Sequence, residues 1–200
     1  MKKRIVYIVS YFLLLLTLFV CQKPFFMLYN DAAEKGALFS DFFRVMGNGI
    51  SLDATTAGYL TALPFLMVLI SIWVKKFPLR KILLPYYIIA SLLVAVVFVV
   101  DMGLYPFWGF KLDASIFLYL DSPKEAMASV SFGFILLRVV AMLMLTTFYV
   151  WLMCKVTPHQ LEVTAKRIGG TLGMLFLGGI LFIIIRGGVT ESTSNVGQVY

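Results

Sequence analysis

Long apolar runs, each near the length of a membrane-spanning helix, alternate along this chain with short polar connections. The runs cover residues 5–21, 54–74, 82–100, 126–154 and 168–185. About 20 apolar residues in helical form cross the ~30 Å hydrocarbon core of a bilayer. A helix also satisfies its own backbone polar groups there. The pattern predicts an all-α integral membrane protein, a five-helix transmembrane bundle. Between the first two runs, residues 22–53 are too apolar for a free loop. In ALFSDFFRVM (37–46), Leu38, Phe42 and Met46 recur every fourth position while Asp41 and Arg44 fall elsewhere. That spacing predicts a short helix lying in the membrane interface.

Punctuation refines these elements. Gly47-Asn48-Gly49 predicts a turn, because glycine and asparagine tolerate positive φ. Ser51 or Asp53 is then placed to cap the second span. Pro64 lies inside that span and predicts a kink, while Pro85 shapes the start of the third. Ser122-Pro123-Lys124-Glu125 reads as a capped helix start. A helix from 123 to 154 would be ~48 Å long, more than the hydrocarbon core, so its first turns would tilt or project. Thr157-Pro158-His159-Gln160 reads as a second capping box, opening a short basic helix. Gly169 and Gly173 have the spacing that lets helix backbones approach closely, and Gly178 and Gly179 add small surface.

Charge orients the bundle. Lys2, Lys3 and Arg4, then Lys75, Lys76, Arg80 and Lys81, then Lys155, Lys166 and Arg167 make up ten of the 17 basic residues, accompanied by one acid, Glu162. The other nine acids fall in the alternate connections or the tail. Cytoplasmic loops collect Lys and Arg, so the amino terminus is expected inside and the carboxyl terminus outside. Trp73 and Trp151 fall at the expected inner ends, and Trp108, Tyr105 and Tyr119 in an outer loop at 101–121, as in an aromatic belt. With 61% hydrophobic and 14% charged residues, the chain is no ordinary soluble domain. Its net charge of +7 sits beside the spans, which fits anionic lipid rather than nucleic acid. The first span reads as an uncleaved anchor, since Cys21-Gln22-Lys23 lacks a small-residue cleavage pattern. Cys21 and Cys154 fall at opposite ends of the spans, too far apart for a disulfide.

Candidate chemistry is sparse. Arg138 is the one charge within a predicted span. It is either a structural contact, to a helix carbonyl or to hydroxyls such as Thr146 and Thr147, or part of a pocket for a lipid phosphate. On the outer face, Arg44, Asp53, Asp101, Lys111, Asp113 and Lys124 are either solvated loop charges and caps or a grip on an anionic headgroup. Trp108 offers an apolar wall for acyl chains. His159, the single histidine, reads as a surface residue at a helix start. No nucleophile–base pairing, metal-spaced cluster or glycine-rich phosphate loop is present, so no catalytic residue and no metal ligand is assigned.

Three segments, FFRVMGNGISLDATTAGYL (42–60), DMGLYPFWGFKLDASIFLYLDSPKEAMASV (101–130) and RGGVTESTSNVGQVY (186–200), resemble the amino-terminal membrane region of the lipoteichoic-acid-synthase family. These are membrane-anchored sulfatase-like phosphoglycerol transferases, and the likeness is to the Bacteroidetes type. The resemblance implies five spans over residues 1–186, with 187–200 beginning a linker to an extracytoplasmic domain of the alkaline phosphatase superfamily. It implies a bacterial cytoplasmic membrane, and a threonine nucleophile with a divalent metal, manganese or zinc, in that further domain and not in this chain. The implied function is to anchor the chain's own carboxyl-terminal catalytic domain and present membrane phospholipid for phosphoglycerol or phosphoethanolamine transfer. Arg44, Lys111 and Lys124 are the expected headgroup contacts, Trp108 lies beside the acyl chains, and Arg138 is an internal support. The alternative is a self-contained small transporter or accessory membrane protein, which would need a polar path through several spans.

Overall fold

A computed structural model describes residues 1–30, 36, 38–109, 111–112, 131–163 and 166–187, with the side chains of all of these except Phe107 and Trp108. The described residues form six helices: α1 (Lys2–Tyr29), α2 (Phe39–Asn48), α3 (Ile50–Ile70), α4 (Leu79–Trp108), α5 (Phe132–Val156) and α6 (Arg167–Arg186). All but α2 are long and apolar enough to cross a membrane. The fold is the all-α, five-span bundle that the hydrophobic runs predict.

The spans run up and down. Arg4 in the first turn of α1 bonds Ser71, just past the end of α3. Phe77, entering α4, forms an isolated antiparallel bridge with Leu161, beyond the end of α5. Trp73 bonds Thr171 in the first turns of α6. One end of the bundle, called here the basic end, therefore holds the start of α1, α4 and α6 and the finish of α3 and α5. All ten residues of the three basic patches gather there. The opposite end holds α2 and the tip of α1.

The core sits between α1, α3 and α4. Tyr7, Ile8, Tyr11 and Leu15 of α1 pack with Phe65 and Val68 of α3 and with Leu83 and Tyr87 of α4. Outside this core, α5 packs chiefly on α4, and α6 chiefly on α3. Leu136, Leu137, Leu143, Met144 and Phe148 of α5 are exposed, as are Leu172, Leu175 and Phe176 of α6. Such surfaces suit lipid tails, which are as apolar as the side chains themselves. Two close approaches fix α6. A Cβ on Gly178 would stand 2.8 Å from the Phe65 ring, and one on Gly58 would stand 2.8 Å from Ile185.

Several expectations need correction. α1 continues two turns past Cys21, through Lys23 and Pro24 to Tyr29. α4 likewise runs on through Asp101 and Pro106 to Trp108, so the expected outer loop begins as helix. A charge near the end of a spanning helix is tolerated because it reaches the polar interface. The short helix appears as α2, but Gly47 and Asn48 belong to it. Gly49 alone separates α2 from α3, with φ −86° and ψ 0°, so no positive-φ turn is made. Neither Ser51 nor Asp53 caps α3; Gly49 is its N-cap. Thr157 ends α5 rather than opening a helix, and residues 158–163 are non-helical because Leu161 is held in the bridge to Phe77. α5 opens with Ser131, whose hydroxyl accepts from the Phe134 amide at 3.3 Å. The capping sequence 122–125 lies outside the described residues. A Cβ on Gly169, Gly173 or Gly179 would meet nothing within 4 Å among the described residues, so among these it is Gly178 that makes a close helix contact of the kind the spacing assigned to Gly169 and Gly173.

Proline inside α3 is accommodated chemically. Pro64 has no N–H for the Leu60 carbonyl, and the Tyr86 hydroxyl of α4 donates to that carbonyl at 2.8 Å. A freed backbone acceptor in a membrane helix must find such a partner.

Candidate functional site

At the end opposite the basic patches, α1, α3 and α4 part to leave an open cleft of about 380 Å³. Phe19, Phe26, Leu93, Val94, Val97 and Phe98 make its apolar walls, and Gln22, Lys23, Asp53, Asp101 and Lys111 bring polar groups to it. The extension of α1 places Lys23 opposite Asp53, in the first turn of α3, where they form an ion pair. That end of the α3 dipole also favours a carboxylate. Only 15% and 13% of the two side chains are exposed, so the pair is screened less than a surface one. Gly49 makes the contact possible: a Cβ there would meet Lys23, with Cε only 2.7 Å away.

Gly109 turns the chain at the end of α4 with φ +73°, a conformation that suits glycine. The chain then folds back, and the Leu112 amide donates to the Asp101 carboxylate at 2.7 Å. This return places Lys111 with its Nζ 4.9 Å from the Phe26 ring centroid, a cation–π distance. Lys111 has no carboxylate within 4 Å among the described residues, where the ion pair is that of Lys23 with Asp53. The cleft thus combines one buried ion pair, a second carboxylate held by backbone, and an ammonium that rests on an aromatic ring and also feels the Asp53 carboxylate.

Of the residues singled out from sequence, Asp53, Asp101 and Lys111 meet in this cleft. Arg44 is exposed on α2 and does not line it. Lys124, Asp113 and the side chain of Trp108 lie outside the described residues. Lys23 is the participant that sequence reasoning missed: it falls just beyond the first apolar run, and α1 continues through it to Tyr29, where Asp53 pairs with it. Arg138 lies 4.6 Å from the Phe134 ring and 5.0 Å from the Tyr29 ring, and donates to the Tyr29 hydroxyl.

The basic end carries a different polar system. Arg4 is 4% exposed and donates to the Ser71 hydroxyl at 3.1 Å, the Ser71 carbonyl at 2.9 Å and the Glu162 carbonyl at 2.6 Å. The Thr157 hydroxyl donates to the Met153 carbonyl at 2.7 Å. Tyr87 therefore donates to Thr157, and Tyr7 to Tyr87, each at 2.7 Å. Arg80 donates to the Cys154 and Thr157 carbonyls at the end of α5 and lies 3.0 Å from His159 Nε2. These bonds satisfy a helix end and tie four spans together. Cys21 and Cys154 are free thiols.

Among the described residues, no three His, Cys, Asp or Glu side chains gather as metal ligands. Comparisons with family models, curated proteins and solved structures find no match.

Proposed function

We propose that this chain is the membrane module of a phospholipid headgroup transferase, holding a catalytic domain at the extracytoplasmic surface and presenting lipid to it. The observation that carries the reading is the cleft, in which Lys111 stands beside apolar walls at one end of the bundle. A phosphate at Lys111 forms a charge-assisted bond, while one acyl chain lies along Phe98, Val97 and Leu93. The Lys23–Asp53 pair orders the floor of the cleft without consuming Lys111. In this reading the ten clustered basic residues mark the cytoplasmic side, so the cleft opens to the outer leaflet of a bacterial cytoplasmic membrane. Tethering lipid and catalytic domain to one bundle raises their effective concentration, and modest headgroup contacts then suffice.

Two experiments test the two halves of the proposal. A phosphatidylglycerol carrying a photoreactive acyl chain is expected to crosslink to α4 around Val97 and Phe98, and Lys111→Gln to lower that yield several-fold. Equal yield from the variant would remove Lys111 from the site. For the transferase half, the genomic reading frame is expected to continue beyond the Tyr200 codon into a sulfatase-like domain. A stop codon there would overturn it.

A further inference from the structure

Arg138 presents a different problem from the cleft. It stands on α5 six residues past Phe132, so ~9 Å along the helix from its first turn. Its neighbours in sequence are Leu137, Val139 and Val140, all exposed on the apolar surface of α5. The guanidinium reaches the tip of α1, close to the rings of both Tyr29 and Phe134. It lies over Gly103 of α4, where a Cβ would come 3.4 Å from Nε. A guanidinium carries five N–H donors. Among the described residues its hydrogen-bond partner is the Tyr29 hydroxyl, and Nε is buried without one. No carboxylate of the described residues lies within 4 Å of it. A charge so placed in an apolar surface calls for an anion.

We propose that Arg138 binds the phosphate of a membrane phospholipid at a second site, formed by Tyr29 of α1, Gly103 of α4 and Phe134 of α5. Both rings lie within cation–π distance of the guanidinium, and its planar fork of donors suits phosphate. Gly103 contributes by having no side chain, which brings the guanidinium against α4. The Tyr29 hydroxyl fixes its orientation. The neighbouring α5 surface, through Leu137 and Val140, is apolar and suits an acyl chain. The site shares the phosphate chemistry of the cleft, so it rests partly on the reading of this end as a lipid-handling surface. It uses different residues, on the α5 side of α1.

The test is native mass spectrometry of the whole chain released from nanodiscs of phosphatidylcholine with a minor share of phosphatidylglycerol. Wild type is expected to retain phosphatidylglycerol, and Arg138→Leu to retain it about tenfold more weakly, the loss of one charge-assisted bond. Arg138→Lys, which keeps a point charge, is expected to recover much of the binding. Glycerol phosphate without acyl chains is the second arm. Displacement of the lipid by it at millimolar concentration would indicate a free-phosphate site and overturn the lipid assignment. Retention unchanged in Arg138→Leu but reduced in Lys111→Gln would overturn the Arg138 site while leaving the cleft standing. Retention unchanged in both would overturn both. Should Arg138→Leu fail to fold, Arg138→Gln is the substitute, which removes the charge and keeps a polar side chain, and full retention there overturns the site.

Discussion

Leu60 has a carbonyl that its own helix leaves bare, because the residue four positions on is Pro64. Tyr86 reaches it from α4, so one hydroxyl couples a local defect in α3 to the packing of its neighbour. Polar contacts between membrane helices are worth ~0.6 kcal/mol on average and up to ~1.7. Tyr86→Phe should therefore lower unfolding stability in mixed micelles by about 1 kcal/mol. Pro64→Ala returns an N–H to Leu60, and the same tyrosine change should then cost almost nothing. A cycle in which the two changes simply add would refute this account. The same thinking applies to Lys23 and Asp53: breaking a partly buried ion pair by removing one partner leaves the other charge stranded. Asp53→Ala should cost more than the double change Lys23→Met with Asp53→Ala, measured by thermal melting.

At the scale of elements, contact between α3 and α6 depends on shape rather than polarity. Gly178 gives the Phe65 ring its place, and Gly58 does the same for Ile185. Gly178→Val overpacks this seam and should destabilise the fold by roughly 1–3 kcal/mol. Phe65→Leu in the same chain should recover part of the loss, again read by melting. This seam also shows what the sequence reveals and what it withholds. The five spans were legible because a run of apolar residues is a local signal, and their boundaries were misplaced where Lys23 and Asp101 interrupt it. Those charges stay on the helix because one finds Asp53 and the other finds the Leu112 amide, partners distant along the chain. Gly169 and Gly173 carry the better-known spacing, yet Gly178 makes the contact, since which glycine faces a neighbour depends on how α6 is rotated. Asp53 and Lys111 were visible as charges; their meeting required the return of the chain at Gly109.

For the molecule as a whole, polarity is divided between two ends that do different work. At the basic end, Arg4, Arg80, Tyr7, Tyr87 and Thr157 are consumed in tying helix ends to one another. Their donors are spent on carbonyls and hydroxyls, which gives that end rigidity. At the other end, Lys111 and Arg138 rest on aromatic rings with no carboxylate of the described residues within 4 Å, and in the proposed reading their charge meets a ligand. The functional reading requires this second end to face away from the cytoplasm, as the clustering of Lys and Arg at the first end implies. A chain with both native cysteines changed to serine, carrying a single cysteine at Arg44 or at Lys3, tests the orientation directly. Both positions are exposed. A membrane-impermeant thiol reagent added to intact cells should label Arg44→Cys and spare Lys3→Cys until the cells are permeabilised. The opposite labelling would put the cleft and Arg138 in the inner leaflet, where they would meet lipid but no extracytoplasmic domain.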